Sequence, residues 1–237
     1  MTAVLLPPGV GAVASLCRLD EDEAHHLRVR RVSPGDSVLV RDGAGLIGHG
    51  TLVRDGESWA VEIEVLSIVP PPPELVLAVA AGDRDRFEWL VEKASELGAT
   101  AIVPLETERS VGVATRVRTR HLDKLRRQAL EAIKQNGAAW ATLVEEPLGL
   151  EGFLSTGRTG KRWLADLEGT PPPASLGSDP VTVIVGPEGG LTIGERSAII
   201  AAGFDPVSLG VYTLRFETAA LAAAAAVNSA RFRGTDD

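Results

Sequence analysis

The sequence predicts an α/β protein: a mostly parallel sheet interleaved with helices, preceded by a small β-barrel. Three observations carry this expectation. Four consecutive prolines in IVPPPPE, residues 68–74, stop a helix or central strand and favour a stiff extended linker. Before them, apolar residues recur at the two-residue period of strands, with tight turns between. After them, short apolar runs alternate with segments of helical period, the pattern of successive βαβ units. The expected division is therefore 1–69 and 74–237.

In the first part, DEDEAHHLRVRR predicts a short helix capped near Asp20. SVLVRDGAGLIGHGTLV holds two apolar runs around Asp42-Gly43, a hairpin signal. SWAVEIEVLSI puts Trp59, Val61, Ile63 and Val65 on one face, as a half-buried strand requires. In the second part, ELVLAVAA reads as a buried strand. DRFEWLVEKASELG places Phe87, Leu90, Val91, Ala94 and Leu97 on one helical face and stops at Gly98. TAIVPL is a strand, and TRHLDKLRRQALEAIKQNG a helix closed by Asn136-Gly137. KRWLADL and VTVIV are strands. TIGERSAIIAAG is a helix with a Thr192/Glu195 capping box and a stop at Gly203. DPVSLG is a short strand, and FETAALAAAAAVNSARF the final helix.

The chain has 237 residues, 44% hydrophobic and 24% charged, enough to bury a core and unlike a disordered chain. A single cysteine, Cys17, excludes an internal disulfide framework and a CxxC metal site, and fits a reducing compartment. No Lys or Arg precedes the short, proline-broken apolar run at the N-terminus, so a signal peptide is not expected. The run TAALAAAAAV is too short to span a bilayer. A soluble cytoplasmic protein without a membrane partner is expected. The net charge of −8 argues against nucleic acid. Residues 109–127 argue the other way, with six Arg and one Lys against one Asp. Two readings stand there: a solvated helix face with a basic loop, or a strip contacting phosphates.

VIVGPEGGLTIGE runs from a buried strand through a glycine turn into a helix N-terminus, where backbone N–H groups converge and a ligand can approach closely. It is neither G-x-G-x-x-G nor a P-loop, and a purely structural turn reads equally well from this stretch alone. SLGVYTLRFETAALAAAAAV repeats the arrangement one αβ unit later. Two such turns side by side suit a flat adenine held by main chain, with a charged flexible tail.

VGPEGGLT together with SLG…LRFETAALAA resembles the C-terminal signature of the ribosomal RNA small subunit methyltransferase E family, in the SPOUT (trefoil-knotted) superfamily of S-adenosylmethionine-dependent RNA methyltransferases. Lys93 to Gly98, Arg109-Ser110, and Glu131 with Gln135 resemble further family segments, and HHLRVRRVSPGDSVLVRDGAG resembles its PUA-like barrel. The resemblance implies a homodimer without metal that methylates N3 of one uridine in 16S rRNA, in the small ribosomal subunit or its late precursor. Carried over, Leu164, Ala165, Asp166 and Leu167 form one wall of an S-adenosylmethionine pocket. Gly186, Pro187, Glu188, Gly189 and Gly190 form the second, and Leu209, Gly210, Val211, Tyr212, Leu214 and Arg215 the third. The RNA would meet His26, Arg28, Arg30, Arg31, Arg84, Arg109, Arg116, Arg118, Arg120 and Gln135. Where many members carry an arginine, this chain reads Gln135-Asn136-Gly137-Ala138.

Uridine N3–H is a weak acid, so attack on a sulfonium methyl needs a base or a cation that stabilises the uracil anion. Arg215, Glu217 and Glu188 are the candidate catalytic groups. Arg215 is expected to stabilise charge on the uracil oxygens, while Glu217 positions Arg215 or takes the proton. Glu217 as a mere first-turn acid of the last helix is the alternative. Two other functions compete. A nucleotide-binding oxidoreductase lacks its glycine fingerprint and ribose-binding acid here. A non-catalytic RNA-binding assembly factor would bind donor and RNA without transfer.

Overall fold

In the computed structural model, residues 1–7, 15–80, 82–110 and 119–234 are described. The chain divides into two units, Met1–Pro72 with Leu130–Ala141, and Pro73–Ala129 with Thr142–Asp237.

The first unit holds β1 (Thr2–Leu5), β2 (Leu16–Arg18), α1 (Glu21–Val29), β3 (Ser37–Arg41), β4 (Leu46–Asp55) and β5 (Ser58–Ile68). Its sheet runs β1-β3-β4-β5-β2; only β1–β3 is parallel. The Asp20 side chain caps α1 by accepting from Glu23 N. The β3–β4 hairpin turns at Asp42, whose Oδ1 accepts from Ala44 N and Leu46 N at 2.7 and 3.0 Å. Val4, Leu27, Val38, Val40, Leu52, Trp59 and Val61 form the core. One expectation fails. Val65 is 46% exposed, not on the buried face with Trp59 and Val61. His49 pairs with Val65 and Gly50 with Ile63, so Glu64 is an extra residue in β5. That bulge inverts the alternation beyond it, and Leu66 packs on the core instead.

Leu130–Ala141, which the sequence reading placed in the second domain, packs within the first unit. Its anchor is ionic. The Lys134 side chain, 9% exposed, lies 2.6 Å from Glu23 Oε1 and 2.5 Å from Glu131 Oε2. Glu23, 3% exposed, also accepts Leu5 N through Oε2 at 3.1 Å. Trp140 Nε1 donates to Val69 O at 2.9 Å.

The second unit contains β6 (Leu75–Val79), α2 (Arg84–Glu96), β7 (Ala101–Glu106), then α3 (Thr119–Asn136), whose last turns from Leu130 belong to the first unit. It continues with β8 (Leu143–Val144), β9 (Leu148–Gly149), α4 (Leu150–Leu154), β10 (Lys161–Thr170), β11 (Val181–Val185), α5 (Ile193–Ala201), β12 (Asp205–Val207) and α6 (Phe216–Gly234). The sheet order is β12-β10-β11-β6-β7-β8, with β9 also on β7, and every pair is parallel. β6 and β11 are buried throughout, as strands covered on both faces must be. Leu75, Leu77 and Val79 face one core with Phe87, Leu90 and Val91 of α2 and the alanines of α6. Val76, Ala78 and Ala80 face the other, with Phe153, Ile199 and Phe204. Ala219, Ala220, Ala223 and Ala224 are buried, so their small size serves close packing inside the unit. Asn228 ties α6 to Leu97 O, beside Gly98 at φ +73. Arg231 donates to Pro73 O, Glu74 O and Asp179 O at 2.7–3.0 Å.

Candidate functional site

The strand order settles where the three expected walls stand. β12, β10 and β11 are consecutive and parallel, so their carboxyl ends open side by side, the usual ligand edge of an α/β sheet. β10 supplies the first wall by leaving its ladder. Val207 pairs with Ala165 and again with Thr170, so the residues between project from the sheet. Asp166 is fixed there by Arg196 Nε at 2.6 Å. β11 releases the glycine turn and β12 the Leu209–Arg215 loop.

A cavity of about 120 Å³ lies between the first and third walls, lined by Ala165, Asp166, Leu167, Leu209, Gly210, Tyr212, Thr213, Leu214 and Ala219. A methyl group added to Gly210 would meet nothing within 4 Å, so main chain is open to a ligand there. Several expected wall residues sit differently. The Leu164 side chain is 1% exposed and belongs to the core, because it precedes the bulge. Val211 is exposed, and Val211, Arg215 and the glycine turn from Gly186 to Gly190 all lie outside the cavity lining.

The glycine turn is a constructed element. Gly190 N donates to Pro187 O at 2.8 Å, and Gly190 takes φ +70, a conformation that side chains resist. Thr192 and Glu195 form the expected capping box on α5. Glu195 does more: its Oε2 accepts from Thr192 N and its Oε1 from Glu108 N, both at 2.8 Å. The segment after β7 is thereby joined to the turn. Arg109 completes the link, donating from Nη1 to Gly189 O at 2.6 Å. Sequence reasoning placed Arg109 in a phosphate strip; its guanidinium instead holds the glycine turn.

Glu188, Glu217 and Arg215 converge, with a fourth group that sequence reasoning missed. Arg86 Nη1 lies 3.0 Å from Glu188 Oε1 and 3.7 Å from Glu217 Oε1. Arg215 Nη1 is 4.0 Å from Glu188 Oε1, and its side chain is exposed. Glu217 is 8% exposed, and its Oε2 is buried with no hydrogen-bond partner among the described residues. Glu217 does stand in the first turn of α6, so the helix-terminus effect operates as well. No local pattern marks Arg86, because its partners are set by β6 lying next to β11.

The other expected RNA contacts fall on both units. Arg28, Arg30, Arg31 and Gln135 are exposed, and Arg31 takes φ +56, rare for a side-chain-bearing residue. His26 is half-buried, and burial together with the Lys134 charge holds its pKa below the ordinary value. Arg84 pairs with Glu88 at 3.3 Å, and Glu88 also takes Lys124 at 2.6 Å. Arg126 pairs with Glu146 at 2.9 Å. Arg116, Arg118 and the Arg120 side chain lie outside the described residues. Among the described residues, no cluster of three or more His, Cys, Asp or Glu could hold a metal, and no helix is long and apolar enough to cross a membrane.

Residues 70–228 match the model of an RNA methyltransferase domain, and residues 19–65 that of an RNA methyltransferase PUA domain. A ribosomal RNA small subunit methyltransferase E from Synechocystis sp. is 33% identical over 87% of this chain and 71% of its own length. One from Mycobacterium bovis is 30% identical over 93% of this chain and 87% of its own. A crystal structure of ribosomal RNA small subunit methyltransferase E from Neisseria gonorrhoeae, bound to S-adenosyl methionine, superposes with a TM-score of 0.84. It has 27% identity and covers 95% of this chain and 96% of that one.

Proposed function

Because the chain belongs to the ribosomal RNA small subunit methyltransferase E family, we propose that it transfers the methyl group of S-adenosylmethionine to N3 of a uridine in 16S rRNA. The observation that carries this reading is the cleft between the ends of β10 and β12, with the end of β11 next to β10 in the sheet, together with the buried Glu217 carboxylate, one oxygen of which has no hydrogen-bond partner among the described residues.

The residues present suit the methyl donor. The cleft offers open main chain at Gly210, apolar faces from Leu167 and Leu214, and a fixed carboxylate at Asp166. At about 120 Å³ it is smaller than the roughly 300–1,000 Å³ of enclosing ligand pockets, so it receives one part of the cofactor only. The exposed main chain from Glu188 to Gly190 is proposed to hold another part. Bound there, S-adenosylmethionine supplies a sulfonium methyl whose carbon is taken by the N3 electron pair as the C–S bond breaks, its pair remaining on sulfur.

The chain's own residues perform the rest. Glu217 Oε2, which has no donor among the described residues, takes the N3 proton. Arg215, exposed beside Glu188, stabilises the charge that develops on the uracil oxygens. Arg28, Arg30 and Arg31, exposed on the first unit, contact phosphates and so set register rather than sequence choice. We further propose that the protein works in the cytoplasm as a homodimer, on the small subunit or its late precursor. The exposed apolar Val211, Tyr212 and Ile193 favour self-association.

The test is to incubate small subunits that lack the modification with protein and donor, then map the rRNA by mass spectrometry. A new methyl on N3 of one 16S uridine is the expected result. Transfer to another base would change the target. Binding of donor and RNA with no transfer would leave an assembly factor in place of an enzyme.

A further inference from the structure

Glu188 and Arg215 lie on the loops that follow β11 and β12, and Glu217 stands in the first turn of α6. Arg86, in the first turn of α2, brings the segment that follows β6 to the same place. We propose that Arg86 is a positioning residue for methyl transfer: one guanidinium, shared between Glu188 and Glu217, holds the two carboxylates in register and presents Glu217 Oε2 to an N–H of the substrate. This rests on the methyltransferase reading above.

Four observations support it. Arg86 Nη1 serves both carboxylates at once, 3.0 Å from Glu188 Oε1 and 3.7 Å from Glu217 Oε1. The shorter contact is a hydrogen bond and the longer an ion pair, both made by the same nitrogen. The guanidinium starts from a rigid base, since Arg86 N donates to the Asp83 cap at 3.0 Å and the next residue, Phe87, is fully buried in the core. Room for the arrangement is kept by Gly82, where an added methyl would stand 3.1 Å from Glu188 Oε2. Finally, Glu217 is half engaged. Its Oε1 faces Arg86, while its Oε2 is buried without a donor among the described residues. A buried carboxylate oxygen left that way is unfavourable, and a ligand N–H relieves it. Uridine N3–H has that chemistry, and so does the ammonium of the donor's amino-acid tail. The two sources predict different outcomes.

The experiment is a double-mutant cycle. Single-turnover methylation of small subunits is measured at saturating donor and RNA for the wild type, Arg86→Met, Glu217→Gln and the double variant. Donor affinity is measured by calorimetry on each. Arg86→Met is expected to slow the reaction about 10- to 100-fold, the range lost when a group orienting a reacting residue is removed. Donor affinity should stay within about threefold, and the double variant should be no slower than Glu217→Gln alone, as for residues acting as one unit. Arg86→Lys should fall between wild type and Arg86→Met, and it keeps the test readable should Arg86→Met fail to fold. An equal loss from Arg86→Met in both backgrounds overturns the proposal. A loss carried wholly by donor affinity also overturns it, because Glu217 would then face the donor's ammonium and not the uracil. A wild-type protein that leaves small subunits unmethylated overturns the functional reading, and this inference with it.

Discussion

Arg109 separates two accounts of the basic segment. In the structure its Nη1 donates to Gly189 O at 2.6 Å, and its side chain passes 3.6–3.7 Å from where methyl groups on Gly189 and Gly190 would stand. It thus fastens the glycine turn to the segment after β7. A hydrogen bond from a charged group contributes about 1.5–3 kcal/mol when protected from water. Arg109 is exposed, so a discounted figure of about 1 kcal/mol is appropriate here. If the turn must be ordered before the methyl donor binds, Arg109→Ala weakens donor binding by about that amount, roughly fivefold in Kd. Calorimetry with S-adenosylmethionine reads this directly. The companion measurement is the salt dependence of RNA binding, whose slope should hardly change. A phosphate contact predicts the reverse, with donor affinity intact and the salt slope reduced by about one. That outcome would refute the structural assignment and restore the sequence-based one.

Two further outcomes concern stability. Lys134→Met leaves Glu23 buried without its cation, and breaking such a pair from one side costs about 3–5 kcal/mol. Urea unfolding followed by tryptophan fluorescence should show it, and a loss under about 1 kcal/mol would contradict the buried-pair account. His121 is nearly buried, and burial, then Arg84, hold its pKa below the ordinary value, with Lys124 adding to that and Glu88 and Asp85 opposing. A lowered folded-state pKa means the unfolded chain binds the proton more readily. His121 therefore contributes stability above about pH 6.5 that is lost as the pH falls below it. His121→Leu should flatten the acid side of the stability profile, and an unchanged profile would remove His121 as its source.

Local chemistry was legible. The Asp20 cap, the Asp42 turn and the Thr192/Glu195 capping box each depend on residues a few positions apart, and each forms as expected. Both candidate loops could be read from the sequence because each joins a strand end to a helix start. What remained hidden was non-local. The order β12-β10-β11-β6 is fixed by packing between distant segments, so the partners of Arg86, 102 positions from Glu188, have no signature. Arg109 looked like one more free cation until its carbonyl partner, 80 positions away, was placed. Val65 was misread because a single inserted residue in β5 reverses every later side chain, and alternation alone cannot register an insertion. That Leu130–Ala141, beyond the linker in sequence, packs within the first unit was hidden for a similar reason. Its hold on the first unit is a buried ion pair between residues 111 positions apart.

The most direct measurement is a crystal structure of the protein grown with S-adenosylmethionine. The account predicts ligand density in the cleft between Ala165–Leu167 and Leu209–Leu214, reaching toward the exposed main chain of Gly189, with Glu217 Oε2 still unbonded by the donor and so available to the RNA. Density elsewhere, or a donor ammonium seated on Glu217, would contradict it.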